Sequence, residues 1–186
     1  MNGRVKLVAA VQGASGTTVQ DLFCRLIDRW PGLRIAGVVA ESHGLPDRLC
    51  SAGYLRRIGT SERFAMFEDR GAGSAACHLE GSGVLAAAEA VRRDIAAGCD
   101  LVLLSKFGKL EVDGKGLWGA FNAAVEAGIP LLTSVSPGMV QKWATFATAG
   151  FTTLSADSVE IDAWIDAARS QAGRFVDDGA AFSGLG

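Results

Sequence analysis

Short apolar segments alternate with amphipathic helical segments along most of this chain, and this alternation limits the possible folds more than any other feature. An apolar run at 6–11 predicts a strand, and the spacing of Val19, Phe23 and Trp30 predicts the helix that follows it. Further apolar runs at 34–40, 101–104, 129–135 and 151–154 precede or follow helical patterns. Strands that alternate with helices pair in parallel, so we expect a three-layer α/β sandwich with a mostly parallel sheet.

One segment departs from the alternation. Two extended stretches at 54–58 and 63–67 flank Gly59, Thr60 and Ser61, which predicts a β-hairpin inserted at about residues 50–68. With 186 residues the chain is long enough for one buried core, and we expect a single α/β domain over residues 1–172. The stretch 173–186 is rich in Gly, Ala and Asp and predicts a flexible C-terminal tail.

Composition argues against several classes of partner. The formal net charge of −2 provides no basic field for nucleic acid or an acidic membrane surface. No apolar run has the length of a membrane span and no cleavable signal pattern is present, so we expect a cytoplasmic protein. The four cysteines form no Cys-x-x-Cys pair, and the adjacent Cys77 and His78 fit no zinc spacing, so the sequence assigns no metal site.

The segment between the first predicted strand and its helix is rich in glycine and hydroxyl groups. Such a turn offers backbone N–H groups and the positive end of a helix dipole to an anion. The P-loop pattern Gly-x-x-x-x-Gly-Lys-Ser/Thr is incomplete here, because Thr17 occupies the lysine position if Thr18 is the residue that holds magnesium. An anion cradle and a simple helix cap both remain open for this loop. Its candidate binding residues are Gly13, Ala14, Ser15, Gly16, Thr17 and Thr18.

A second candidate segment follows the apolar strand at 101–104 and contains Ser105, Lys106, Phe107, Gly108, Lys109, Leu110 and Glu111. Ligands of open parallel sheets bind at the carboxyl ends of the strands. We therefore expect this segment and the first loop to face each other at neighbouring strand ends. Lys106, Gly108 and Lys109 would then contribute to binding, with the lysines supplying positive charge.

The same segment resembles the one after the Walker B strand in the small nucleoside triphosphatases first described from thermophiles. The pattern there runs Asp-Glu-Ile-Gly-Lys-Met-Glu. Gly108, Lys109 and Glu111 match it, whereas Ser105 and Lys106 replace the two acids that position magnesium and attacking water in P-loop enzymes. The resemblance implies a P-loop NTPase-like fold in which both the P-loop and the Walker B segment are degenerate.

Four separate stretches carry a second resemblance. They are the stretch 71–79 ending in Cys77-His78-Leu79, and Lys106-Phe107-Gly108-Lys109, Gly114-Lys115-Gly116-Leu117 and Thr133-Ser134-Val135-Ser136-Pro137. With these stretches in the same order, the sequence over residues of about 5–168 more closely resembles a bacterial family, the domain of unknown function 2478. Members of this family are often encoded near molybdenum transport or molybdoenzyme genes, so the resemblance implies a link to molybdenum metabolism.

Together these features favour a nucleotide- or oxyanion-binding protein whose ligand is a nucleotide, phosphate or molybdate. One alternative is an active magnesium-dependent nucleoside triphosphatase or phosphotransferase, in which Thr18 binds magnesium and Glu111 or Asp113 orients water. Another is a non-catalytic regulatory or partner-binding protein with a vestigial crevice. The sequence leaves the ligand, the occurrence of turnover and the oligomeric state open, and a homodimer is among the assemblies it allows.

Overall fold

The computed structural model describes residues 5–42, 44, 52–68, 78–79, 81–148 and 150–182. The strands are β1 (Val8–Val11), β2 (Ile35–Ser42), β3 (Ala52–Arg57), β4 (Arg63–Ala65), β5 (Phe67–Glu68), β6 (His78–Leu79), β7 (Leu101–Phe107), β8 (Leu131–Val135) and β9 (Thr152–Leu154). The α-helices are α1 (Gly16–Arg29), α2 (Gly81–Ala97), α3 (Lys109–Val112), α4 (Trp118–Glu126), α5 (Val140–Phe146) and α6 (Ser158–Phe182), and a 3₁₀ turn spans Pro137–Met139.

Within these residues, a seven-stranded sheet has the strand order β4-β3-β2-β7-β8-β1-β9. The five strands from β2 to β9 in that order pair in parallel, and β3 and β4 pair antiparallel at one side. The short strands β5 and β6 form a separate antiparallel pair. The mostly parallel sheet predicted from the alternating pattern is therefore confirmed.

Helices cover both faces of the sheet and produce three layers. On one face α1 and α6 bury Phe23, Leu26 and Ile161 against the strands. On the other face α2, α4 and α5 contribute Val91, Phe121 and Trp143 to a second core. Strand β7 runs between the two cores, and its residues 101–104 are each 0% exposed. This complete burial is the reason why the strand consists of an unbroken apolar run instead of an alternating one.

The inserted hairpin is also confirmed. Strand β3 pairs antiparallel with both β2 and β4, so the hairpin extends the sheet beyond its parallel part. It packs on α2 at Gly83, where a Cβ atom would lie 1.9 Å from the carbonyl oxygen of Ala65. An ion pair between Arg57 of β3 and Asp94 of α2 also joins the two elements. The close approach at Gly83 requires glycine, because any side chain would overlap the hairpin backbone.

The structure differs from the sequence predictions most clearly around β7 and in the last helix. Strand β7 continues to Phe107, so Ser105 and Lys106 lie within the strand and not in a loop after it. The short helix α3 follows at once and was not predicted. Helix α6 continues beyond residue 173 to Phe182. The single domain at 1–172 and the flexibility of the tail at 173–186 stay predictions. No helix in the described ranges is long and apolar enough to cross a membrane.

Candidate anion-binding site

The carboxyl ends of β1, β8 and β7 lie side by side at one edge of the sheet. Val11 of β1 is in register with Ser134 of β8, and Thr133 of β8 is in register with Leu104 of β7. The chain leaves β1 toward β2 and leaves β8 toward β9, in opposite directions across the sheet. Such a reversal opens a crevice for ligands at the carboxyl ends of the strands. However, β1 and β7 are not the neighbours that the sequence suggested, because β8 separates them by about 10 Å.

The loop after β1 is short, and it contains a helix cap. Strand β1 ends at Val11 and helix α1 begins at Gly16. Ser15 is the N-cap residue of α1, and its hydroxyl accepts a 3.2 Å hydrogen bond from the backbone N–H of Thr18. The Ser15 and Thr18 hydroxyl oxygens are 2.7 Å apart, which is hydrogen-bonding distance. The loop therefore caps α1, as one of the two sequence interpretations predicted. An anion cradle at this loop requires backbone N–H groups that the cap does not use.

The cap leaves a run of backbone donors unused. Within the described part of the chain, no residue accepts a hydrogen bond from the backbone N–H groups of residues 13–17. A Cβ atom added at Gly13 or Gly16 would meet nothing within 4 Å, so the space beside both glycines is open. Gly13 also has φ of +83°, a conformation that favours glycine. These unpaired donors lie at the positive end of α1, where an anion is favoured.

A β-bulge near the end of β7 determines where Lys106 points. Leu104 is in register with Thr133 and Phe107 with Val135, so β7 has one residue more than β8 in this interval. Without the extra residue, Lys106 would face the same core as Leu104. With it, Phe107 takes the buried position and Lys106 is exposed. The bulge therefore directs the ammonium group away from the core, and no described residue pairs with it by a hydrogen bond or salt bridge.

Phe107 is held in place by a cluster of aromatic rings from α4 and α5. Its ring centroid lies 5.7 Å from that of Phe121, 5.1 Å from that of Trp143 and 5.4 Å from that of Phe146. Trp118 of α4 packs edge-on against Phe146, with ring centroids 4.8 Å apart. These contacts fix the residue beside Lys106 in the hydrophobic core.

Gln20 connects α1 to the same part of β7. Its side-chain Nε2 donates a 2.8 Å hydrogen bond to the carbonyl oxygen of Ser105, and its Oε1 accepts a 3.1 Å bond from the backbone N–H of Ala40. The hydroxyl of Ser134 donates a 2.7 Å bond to the same Ser105 carbonyl. Gln20 was not among the candidate residues predicted from the sequence. It lies next to Val19, at the border of the apolar stripe, a position that allows it to turn inward but does not predict its bond to Ser105.

Glu111 is 5% exposed, and its carboxylate is fully engaged by the backbone. One oxygen accepts a 2.9 Å bond from the N–H of Gly108 and the other a 2.9 Å bond from the N–H of Leu117. Gly116 has φ of +61°, and a Cβ atom there would lie 2.4 Å from the nearer carboxylate oxygen. Glu111 therefore ties together both ends of the segment 108–117, and glycine at 116 leaves room for its carboxylate.

Burial raises the pKa of the Glu111 carboxyl above its ordinary value. The backbone N–H groups of Leu117 and Gly108, and the positive charge of Lys106, act in the opposite direction without cancelling the effect of burial. Asp113, in contrast, is exposed and follows directly after α3. The two acids proposed to orient water therefore have different environments, and only Asp113 has a carboxylate that is free of backbone hydrogen bonds in the described structure.

Comparison with known proteins identifies the family of this chain. Residues 8–164 match a family described as protein of unknown function (DUF2478). The chain belongs to the DUF2478 family. It is also 35% identical over 105 residues to "Molybdenum import ATP-binding protein ModC 2" of Bradyrhizobium diazoefficiens, a match that covers 56% of this chain and 12% of that relative. No solved structure matches the chain.

This DUF2478 chain thus combines an α/β sheet with a similarity to an ATP-binding protein, and its fold is P-loop NTPase-like. The structure brings the donors of 13–17 and Lys106 to the same edge of the sheet. Gly108 lies just beyond Lys106 and caps α3, and Lys109 is the exposed first residue of that helix. The roles of these residues in binding, and of Glu111 and Asp113 in catalysis, stay predictions.

The described ranges contain no group of three or more His, Cys, Asp or Glu side chains arranged to hold a metal ion. Cys77, one half of the soft-ligand pair in the sequence, lies outside the described residues. His78 is described only as part of the backbone of β6.

Proposed function

We propose that this protein binds a small anionic ligand, the phosphate groups of a nucleotide or a free oxyanion, at the carboxyl end of β1. The observation that carries the proposal is the run of backbone N–H groups at 13–17 that have no acceptor among the described residues. They lie at the N-terminus of a helix of 14 residues and beside open space. Oriented N–H groups at a helix start are a common phosphate-binding arrangement.

The spacing of the strands supports a contribution from Lys106. The loop after β1 and the bulge of β7 are two strand spacings apart, about 10 Å. An extended lysine spans roughly 6 Å from Cα to Nζ, so an anion seated on the loop is within reach of the exposed ammonium group. Lys109 is exposed one helical position after Gly108 and adds positive charge at the same edge of the sheet.

The proposal is binding without hydrolysis. In P-loop enzymes, acidic residues hold magnesium and orient the attacking water, whereas this chain has Ser105 and Lys106 in the corresponding segment. Glu111 uses both carboxylate oxygens for backbone N–H groups, so it has a structural task that competes with activating water. The relative's name refers to molybdenum import and ATP binding, and molybdate is therefore tested beside phosphate and nucleotides.

Isothermal titration and thermal-shift measurements with phosphate, molybdate, ADP and ATP, each with and without magnesium, test this function. A ligand at a hundredfold excess over its Kd stabilises the fold by about 2.7 kcal/mol, which raises Tm by roughly 5–10 °C in a chain of this size. Lys106→Ala is expected to weaken binding about tenfold, the loss of one charge-assisted hydrogen bond. Lys6→Ala is the matched control, because Lys6 precedes β1 at the opposite edge of the sheet.

The absence of any thermal shift or binding heat with all four ligands would refute the proposal and favour the partner-protein alternative. Magnesium-dependent phosphate release from ATP would instead support the enzymatic alternative. The proposal also includes a cytoplasmic location, a role in molybdenum metabolism and no nucleic-acid partner, and it allows a homodimer. Light scattering after size-exclusion chromatography measures the oligomeric state directly.

A further inference from the structure

Strands β2 and β7 separate at their carboxyl ends, and the side-chain amide of Gln20 fills the separation. Direct pairing between these strands ends at Val38 and Leu104. Beyond that point the Oε1 atom of Gln20 accepts from the N–H of Ala40 in β2, and Nε2 donates to the carbonyl of Ser105 in β7. The side-chain amide of Gln20, a residue of α1, thus takes the place of direct backbone hydrogen bonds between β2 and β7 at this point.

We infer that Gln20 is a positioning residue for the proposed anion site and couples the loop after β1 to the lysine on β7. Gln20 lies one helical turn after Gly16, so the hydrogen bonds that hold it also hold the first turn of α1. At its other end the bond reaches Ser105, the residue that precedes Lys106 in the bulge. This inference rests on the proposed function and assigns a residue outside the binding loop to it.

The geometry explains why this coupling requires a glutamine. Both hydrogen bonds need one acceptor and one donor on the same planar group, since Ala40 presents an N–H and Ser105 presents a carbonyl. A glutamate at position 20 would retain the acceptor but turn an oxygen toward the Ser105 carbonyl. A methionine has a similar length and fills the same space without either bond. Gln20→Met therefore removes the connection while preserving most of the packing.

A double-mutant cycle with Gln20→Met and Lys106→Ala tests the inference, with affinity for ATP and for inorganic phosphate measured by titration calorimetry. If Gln20 sets the distance between the loop and the lysine, Lys106→Ala weakens binding about tenfold in the wild type but less than about threefold in the Gln20→Met background. Gln171→Met is the matched control. Gln171 also donates from a helix to a backbone carbonyl, that of Val5, but at the opposite edge of the sheet.

Two measurements distinguish the loss of the positioning role of Gln20 from a general loss of folding. Amide hydrogen exchange of Ala40 should accelerate in Gln20→Met and not in Gln171→Met, and affinity is compared at a temperature at which all variants are folded. Additive effects of the two substitutions would overturn the positioning role while leaving the binding site in place. An unchanged affinity in Gln20→Met would do the same. If the wild-type protein binds none of phosphate, molybdate, ADP and ATP, the proposed function fails, and the positioning role fails with it.

Discussion

Replacing Glu111 with glutamine should destabilise the protein measurably, because an amide cannot do what the buried carboxylate does. The carboxylate accepts from the N–H groups of Gly108 and Leu117 at once, each at 2.9 Å. In Glu111→Gln the amide oxygen can satisfy one of these donors, and the amide NH₂ group then faces the other. A buried N–H left without an acceptor costs roughly 1–3 kcal/mol, so we expect a loss of about 2 kcal/mol and a Tm lower by roughly 4–8 °C.

Chemical denaturation monitored by tryptophan fluorescence is the appropriate assay. Asp113→Asn is the control, since it makes the same carboxylate-to-amide change two residues away on an exposed side chain. A surface change of this kind is expected to alter the free energy of unfolding by less than about 0.5 kcal/mol. Equal stability of Glu111→Gln and the wild type would refute the structural role. Loss of magnesium-dependent ATP hydrolysis in a Glu111→Gln protein of unchanged stability would instead support a catalytic role for Glu111.

The pH dependence of the same comparison provides an independent check. Burial raises the pKa of Glu111 in the folded state above its ordinary value of 4.5, so the folded chain binds this proton more tightly than the unfolded chain. The free energy of unfolding contributed by this group therefore falls as the pH rises through the folded-state pKa. Glu111→Gln has no such group, and its destabilisation relative to the wild type should be larger near pH 4.5 than near pH 8. A difference independent of pH would contradict the raised pKa.

Three further substitutions test the fold. Gly37→Ala should lower the free energy of unfolding by about 3 kcal/mol or more, because φ at Gly37 is +146° and a Cβ atom there would lie 1.9 Å from a carbonyl oxygen of β7. Thermal denaturation measures this loss, and Gly32→Ala is the control because the space beside Gly32 is open. Thr133→Val should be neutral or stabilising by about 1 kcal/mol, because the buried hydroxyl has no hydrogen-bond partner among the residues that the structure describes. A clear loss of stability would reveal a partner. Ser15→Ala should cost about 1 kcal/mol through loss of the N-cap, and unchanged helicity and Tm would argue against the cap.

Local patterns in the sequence account for most of the elements. The apolar spacing that ends at Trp30 predicted a helix, and the structure has α1 at Gly16–Arg29. The unbroken apolar run at 101–104 predicted a strand, and the structure has β7 there with all four of these residues fully buried. The inserted hairpin was predicted from its turn residues. The glycine-rich loop after β1 suggested an anion site, and that role stays a prediction, although the structure shows that Ser15 of this loop caps α1. These features depend on neighbours along the chain, which the sequence displays directly.

The arrangement around the candidate site depends on contacts between distant residues. Gln20 and Ser105 are 85 positions apart, and nothing in the local pattern of either residue indicates the bond between them. The order of the strands, which places β8 between β1 and β7, is likewise a result of packing helices on both faces. The β7 bulge exposes Lys106 because Phe107 gains more by entering the aromatic cluster. The sequence by itself thus determined the family and the kinds of element, whereas tertiary packing decided which backbone donors and charges share one edge of the sheet.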